Sequence, residues 1–133
     1  MNKKLVISIV VTFVLGMVLG MVVHGMILHG EYAKLSMMRS EQAAQQLMGL
    51  MAVAQLAWSI GFCWIYSRGR EAARPWLGQG FRYGIAVCLL AVVPMYLIYY
   101  VVMPFPSDLV AQQIVFDSIC TILLAVIVAW INR

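Results

Sequence analysis

The sequence predicts an all-α membrane protein, a bundle of four transmembrane helices that forms a single domain over residues 1–133. Hydrophobic residues make up 64% of the chain, against about 45–50% in soluble domains. Charged residues make up only 11%, where about 25% is usual. Four segments reach the length of about 20 apolar residues that a membrane helix requires. This composition excludes a soluble enzyme, a disordered tail and a disulfide-rich secreted module.

The four predicted helices cover about residues 5–28, 44–66, 81–103 and 109–131. The first has no charged residue, and it is longer than the apolar core of about 7–15 residues that a signal peptide carries. Ser40 is expected to cap the second helix, with Glu41 favourable in its first turn. The third helix is expected to end before Pro104, and Ser107 is expected to cap the fourth.

A weak internal repeat relates the second and fourth predicted helices. One opens with AQQL (residues 44–47) and the other with AQQI (residues 111–114), and WIYSR (64–68) at the end of one resembles WINR (130–133) at the end of the other. Each match is short, so duplication and chance both stay open. A true duplication would make two helical hairpins in parallel orientation, related by an axis along the membrane normal.

The basic residues predict the orientation in the membrane. Seven of the nine lysines and arginines fall in segments that share one side, and only Lys34 and Arg39 fall on the other. The positive-inside rule therefore predicts a multi-pass membrane protein with both termini cytoplasmic. A nucleic-acid partner is not expected, because these cations set topology. The residues expected to contact lipid headgroups on that side are Arg68, Arg70, Arg74, Trp76 and Arg82.

A polar cluster is expected within the bundle, in its outer half. Asp117 is the only acidic residue inside a predicted helix, about 12 Å from its outer end. A charge at that depth is costly, so Asp117 is expected to face other helices. Residues of similar depth or the same polar character, together with Asp117, make up the predicted cluster: His24, Gln55, Tyr96, Tyr99, Gln113 and Asp117. Simple hydrogen bonding between helices and a proton- or ligand-binding site both stay open.

No metal, cofactor or catalytic residue is expected. Cys63, Cys88 and Cys120 are dispersed in apolar segments without a CxxC motif, and they indicate small buried side chains. His24 and His29 lie about 140° apart on one ideal helix, so they cannot meet at one metal ion. A single axial histidine ligand to a tetrapyrrole stays open as an alternative.

Small residues and one proline predict how the helices approach each other. Gly16 and Gly20 form a small-xxx-small face on the first helix, where another helix of this chain or of a partner can pack closely. Gly80 and Gly84 have the same spacing at the start of the third helix, where the signal is weaker. Pro94 is expected to kink the third helix.

Three segments resemble a group of small bacterial inner-membrane proteins with four spans and no assigned activity. They are HGMILHGEY (residues 24–32), RPWLGQG (74–80), and PMYLIYY (94–100) with the following PFP (104–106). The resemblance covers nearly the whole chain, and it implies the four-helix fold without implying any chemistry.

Two function classes follow from these features. The first is a non-catalytic interaction, assembly or accessory subunit, in contact with the lipid bilayer and packed against other membrane subunits or a second copy of itself. The alternative is a small proton-coupled transporter or channel that uses Asp117. An enzyme is not expected, because no nucleophile–base pair or metal cluster is present in the sequence.

Overall fold

A computed structural model describes residues 2–133, and over these residues the protein is helical and has no strand. Four continuous helical stretches, here called spans, are long and apolar enough to cross a membrane: Lys3–Ile27, Met48–Gly69, Trp76–Val102 and Ser107–Ile131. The elements in chain order are α1 (Lys3–Gly20), a π-helical segment (Met21–Ile27), α2 (His29–Ala33), α3 (Glu41–Gln46), α4 (Met48–Gly69), α5 (Trp76–Val87), a second π-helical segment (Cys88–Val92), α6 (Val93–Val102) and α7 (Ser107–Ile131). The prediction of four apolar helices is confirmed.

The helix boundaries differ from the prediction where polar residues extend a helix. The third span begins at Trp76, immediately after Pro75, several residues before the apolar segment at about residue 81. Ser40 is an N-cap, its hydroxyl accepting from the amide of Ala43 at 3.3 Å, but it caps the short helix α3 rather than the second span, which begins at Met48 without a side-chain cap. The Ser107 prediction is wrong: Pro106 holds the N-cap position with extended backbone angles, and Ser107 is already the first helical residue.

The spans pack as antiparallel neighbours. The first lies against the second, where the Thr12 hydroxyl and the Cys63 thiol are 3.4 Å apart. The first also lies against the fourth, where Asn132 Nδ2 donates to Ser8 Oγ at 2.8 Å. Lys4 Nζ donates to the main-chain oxygen of Arg133 at 2.7 Å. The first span therefore begins at the same end of the bundle at which the fourth span ends. We call this end of the bundle the basic end.

The closest helix contact joins the third and fourth spans through Gly80 and Gly84. A Cβ atom on Gly80 would lie 2.9 Å from Cα of Val126, and one on Gly84 would lie 2.8 Å from Cα of Ile122. Both distances are too short for a carbon–carbon contact, so the backbones approach each other only because these residues have no side chain. The GxxxG pair that the sequence marks as the weaker signal is the one this chain uses.

The glycines of the first span make fewer close contacts between helices of this chain than Gly80 and Gly84 do. Gly16 lies under the side chain of Gln55, whose amide nitrogen would be 2.0 Å from a Cβ at that position. Around Gly20, no atom of the described chain lies within 4 Å of such a Cβ, local chain neighbours aside. Gly20 therefore leaves an open spot on the surface of the bundle.

An aromatic core fills the half of the bundle toward the basic end. Phe62 and Tyr66 of α4 are buried against Tyr83 of α5, with ring centroids 4.9 and 5.3 Å from that of Tyr83. The Tyr83 hydroxyl donates to the main-chain oxygen of Phe62 at 2.5 Å. This contact joins the second and third spans, and small residues of α7 complete the core.

The other half of the bundle is open on the side of the second span. No residue from Glu41 to Trp58 is buried, and burial in this span begins at Ser59. Packing there is limited to a smaller cluster in which Val23, Leu28 and Leu109 join the first and fourth spans. The second span therefore contacts the bundle mainly through its half nearer the basic end.

The glycine contact yields a stability prediction. Gly84→Ala is expected to lower the free energy of unfolding by about 1–3 kcal/mol, because the added methyl group forces the third and fourth spans apart. Gly78→Ala is the matched control on the same helix, since its Cβ would have open space around it. Thermal unfolding in detergent measures both. Equal melting temperatures for the two variants would contradict the close contact.

Candidate functional site

The candidate site is centred on the carboxyl group of Asp117. This residue lies ten positions past Ser107, the first residue of α7, which places it about 15 Å along the fourth span. His24 Nε2 of the first span lies 3.1 Å from Asp117 Oδ1. The Tyr96 hydroxyl of the third span donates to Asp117 Oδ2. One carboxyl group thus connects three of the four spans.

A second arm of the site runs from His24 to the end of the first span. His24 Nδ1 lies 2.7 Å from the Tyr32 hydroxyl, which is on α2 just beyond the span. Gln113 Nε2, one helical turn before Asp117, donates to the same hydroxyl at 2.9 Å. Asp117 and Gln113 lie on the same face of α7 because they are four residues apart.

The donors and acceptors of this network fit one consistent direction. The Gln113 amide donates to the Tyr32 oxygen, and the Tyr32 hydroxyl donates to His24 Nδ1. The imidazole then carries its hydrogen on Nε2 and donates to Asp117. This assignment takes the histidine as neutral and the carboxyl as ionised, and it satisfies the donor inventory of the four side chains. We call this series of bonds the Gln113–Asp117 chain.

One buried polar atom of the Gln113–Asp117 chain has no hydrogen-bond partner. Gln113 is only 5% exposed, and its Oε1 has no hydrogen-bond partner among residues 2–133. An unpaired buried acceptor costs about 1–3 kcal/mol, so such atoms are uncommon in folded proteins. The oxygen is attached to the amide that contacts Tyr32, and a rotation of that amide would exchange the two atoms.

The His24–Asp117 pair is not fully enclosed by the described residues. The side chain of His24 is 33% exposed and that of Asp117 is 23% exposed. His24 lies in the π-helical segment Met21–Ile27, and single π-helical turns occur often at functional sites. The site therefore lies at the edge of the bundle rather than in a sealed core.

Four of the six residues of the predicted cluster come together here: His24, Tyr96, Gln113 and Asp117. Gln55 lies against Gly16 in the contact between the first and second spans instead. Tyr99 is 46% exposed, and its hydroxyl is not among the hydrogen-bond partners of Asp117. The sequence placed Gln55 and Tyr99 at the site by depth and polarity, which do not fix the side of the helix.

Tyr32 is the site residue that the sequence analysis left out. It lies on α2, beyond the break at Leu28. Burial and, to a smaller extent, the Asp117 carboxyl raise the pKa of Tyr32, while its bond from Gln113 acts the other way. The phenol therefore stays protonated near neutral pH. No ideal-helix angle could have placed it there, because the π-helical segment and the break at Leu28 lie between His24 and Tyr32.

The described residues of the types that bind metal ions do not lie close together. No group of three or more His, Cys, Asp or Glu side chains is placed to hold a metal ion in the described part of the chain. Cys63 and Cys88 are buried, Cys120 is partly buried, and all three are free thiols. His29 is exposed at the start of α2 and does not approach His24's partners.

The residues predicted to contact headgroups lie together at the basic end. Glu71 holds two of them, with Arg74 Nε at 2.5 Å and Arg82 Nη2 at 2.9 Å. The Arg68 guanidinium lies over the ring of Trp64 at 5.7 Å from its centroid. The remaining two, Arg70 and Trp76, line a surface cavity described below.

No protein-family model, curated protein or solved structure matches this chain. The resemblance to small four-span bacterial membrane proteins therefore stays a prediction, as does the duplication of the hairpins. Fold and geometry alone carry the functional argument.

Tyr96→Phe is expected to lower thermal stability, because it removes the hydroxyl that donates to Asp117. A single interhelical hydrogen bond contributes on the order of 0.6 kcal/mol in membrane proteins, so the shift in melting temperature is modest. Tyr99→Phe is the matched control, an exposed tyrosine on the same helix, and it is expected to leave the melting temperature unchanged. A control shift as large as that of Tyr96→Phe would contradict the assignment.

Proposed function

We propose that the protein binds and releases a proton at the His24–Asp117 pair, as a small proton-coupled transporter or channel. The observation that carries the proposal is the contact between these two ionisable side chains, 3.1 Å apart and flanked by Tyr32 and Tyr96. An ionisable residue within a membrane helix is by default a candidate for a functional site, such as an ion or proton pathway.

The Gln113–Asp117 chain accommodates an added proton by reversing part of its direction. A proton on His24 Nδ1 makes the ring a donor at both nitrogens, so it donates to the Tyr32 oxygen as well as to Asp117. The Tyr32 hydroxyl must then donate elsewhere. Rotation of the Gln113 amide brings Oε1, the atom that is unpaired in the present state, into position to accept.

Both protonation states are therefore stabilised by the same side chains. In one state Gln113 donates and its oxygen is unpaired, and in the other the oxygen accepts from Tyr32. A purely structural bond between His24 and Asp117 would need neither Tyr32 nor an amide that can turn. His24 and Asp117 are both partly exposed, so the pair is not sealed within the protein.

Infrared difference spectroscopy on a pH jump tests this proposal. In a His29→Gln background, the reconstituted protein is expected to show an imidazolium band that grows as the pH falls, disappears in His24→Gln and appears at a different pH in Asp117→Asn. Asp108→Asn is the matched control, because Asp108 is an exposed aspartate in the first turn of the same helix. An imidazolium band that persists in His24→Gln, or one that Asp117→Asn and Asp108→Asn affect equally, would reject the proton site.

Transport is measured separately, in liposomes that contain a pH-sensitive dye. An imposed membrane potential is expected to drive proton entry through the wild type and Asp108→Asn but not through Asp117→Asn. His24→Gln is expected to reduce the flux, while His29→Gln, the exposed second histidine, leaves it intact. If the His24–Asp117 pair binds a proton but no flux occurs with any solute gradient, the transport assignment fails while the proton site remains.

A second candidate function, a non-catalytic accessory or assembly subunit, is favoured by the exposed half of the second span. Residues 41–58 include no buried position, and Val53 is 63% exposed in this stretch. Gly20 of the first span also leaves an open spot. A helix of another membrane subunit, or of a second copy of this chain, can pack against these surfaces.

Val53→Trp tests the accessory function, because a large ring on the exposed surface obstructs an incoming helix. Extraction from native membranes with the surrounding lipid, followed by analysis of bound protein, lipid and pigment, is expected to yield a complex that Val53→Trp disrupts. Ile65→Trp is the matched control, at a position 50% exposed nearer the basic end of the same span. Loss of the complex in both variants would argue against docking at this surface.

We propose the bacterial inner membrane as the location, with the basic end in the cytoplasm. The fold supports this location, since it brings several basic residues to one end of the bundle: Lys4, Arg68, Arg74, Arg82 and Arg133.

Cysteine labelling tests the orientation. Single cysteines at Ser36 and Gly69, in a variant that lacks the native thiols, are expected to react with an impermeant reagent from outside and from the cytoplasm, respectively. The reverse labelling pattern would overturn the orientation.

A further inference from the structure

A cavity of about 220 Å³ opens at the basic end, between the second loop and the finish of the fourth span. Three arginines line it: Arg70 and Arg74 from the loop, and Arg133 from the end of the chain. Trp76, the first residue of the third span, supplies an aromatic wall, and Asn132 lies at the base. The neighbouring Leu77 is 47% exposed, so apolar surface borders the opening.

The cavity carries a surplus of positive charge. Glu71 is the one acidic side chain in its lining, and it is paired with both Arg74 and Arg82. Arg70 and Arg133 are in no ion pair with a carboxylate side chain among residues 2–133. The Arg133 guanidinium lies over the Trp130 ring, 5.2 Å from its centroid, which holds it at this end of the fourth span.

The wall of the cavity is held by Gln79, which is 8% exposed. Its Oε1 accepts from the Glu71 amide at 2.8 Å. Its Nε2 donates to the main-chain oxygens of Glu71 and Arg74, both at 2.9 Å. One side chain thus makes three hydrogen bonds to two loop residues, Glu71 and Arg74, and holds the arginines on a structured turn.

The start of the third span adds to the positive potential. Pro75 and Trp76 line the cavity at the beginning of α5, where the first backbone N–H groups of a helix have no partner within the helix. The helix dipole places partial positive charge at the same point. Helix start and arginines together favour a compact anion with several oxygen acceptors.

We propose that this cavity binds the phosphate group of an anionic phospholipid. Its place at the end of four apolar spans, with Trp76 and Leu77 beside the opening, favours a phosphate attached to acyl chains over one free in solution. Basic pockets between membrane helices bind anionic headgroups in this way. The site is distinct from the His24–Asp117 pair, which lies in the other half of the bundle.

Native mass spectrometry of the detergent-solubilised protein tests the proposal with phosphatidylglycerol as the probe. The wild type is expected to retain one phosphatidylglycerol and to bind phosphatidylcholine at least about tenfold more weakly. Arg70→Gln is expected to weaken phosphatidylglycerol binding about tenfold, because a charge-assisted hydrogen bond is lost. Arg68→Gln is the matched control, since Arg68 is in the same loop region but is not among the residues that line the cavity.

Four results would overturn the proposal. Equal binding of phosphatidylglycerol and phosphatidylcholine would show that the cavity does not recognise the charge of the headgroup. Weakening by Arg68→Gln equal to that by Arg70→Gln would show a diffuse effect of surface charge. Inorganic phosphate or glycerol phosphate that displaces the lipid at comparable concentration would assign the cavity to a soluble ligand. Arg70→Lys keeps the positive charge and therefore separates a loss of charge from a loss of folding. We expect it to bind phosphatidylglycerol more tightly than Arg70→Gln. Equal weakening by the two variants would count against the site.

Discussion

The structure depends on one constraint, the need of the Asp117 carboxyl to find donors inside the protein. About 15 Å along an apolar helix, an unpaired carboxylate is too costly to keep. His24 from the first span and Tyr96 from the third supply the donors. The antiparallel arrangement of the first and fourth spans, set at the basic end by the Asn132–Ser8 bond, brings His24 to the same depth as Asp117. Because the first and third spans both contact α7 at this point, the site and the bundle are specified together.

The two halves of the bundle are built differently, and this difference relates packing to function. Toward the basic end, Gly80 and Gly84 let two backbones meet and aromatic rings fill the core. Toward the other end, hydrogen bonds replace close packing, and the second span stands apart. Hydrogen-bonded helices with few buried contacts between them reorganise at lower cost than a close-packed core. The proposed proton site thus lies in the half that is better able to change conformation.

Much of the fold was predictable from the sequence, because long apolar segments indicate helices that span a membrane. Ser40 as a cap and Asp117 as the centre of a polar cluster were also predictable. Residues such as Gln55 and Tyr99 were misplaced because depth in the membrane does not fix which side of a helix a residue occupies. The π-helical segments at Met21–Ile27 and Cys88–Val92 shift the helical phase, so face assignments made at an ideal period drift after them. Tyr32 was missed because a break in the first helix brings it back toward the site.

Nitrogen NMR of His24 in lipid bilayers tests the central claim most directly, since it observes the ring that connects the two arms of the site. With His29→Gln as background, one histidine signal pair remains. At high pH the account predicts the neutral ring with hydrogen on Nε2 and with Nδ1 accepting from Tyr32, and at low pH a ring protonated at both nitrogens. Asp117→Asn should shift the pH of that transition. A ring that stays in one state across pH, or a neutral form with hydrogen on Nδ1, would contradict it.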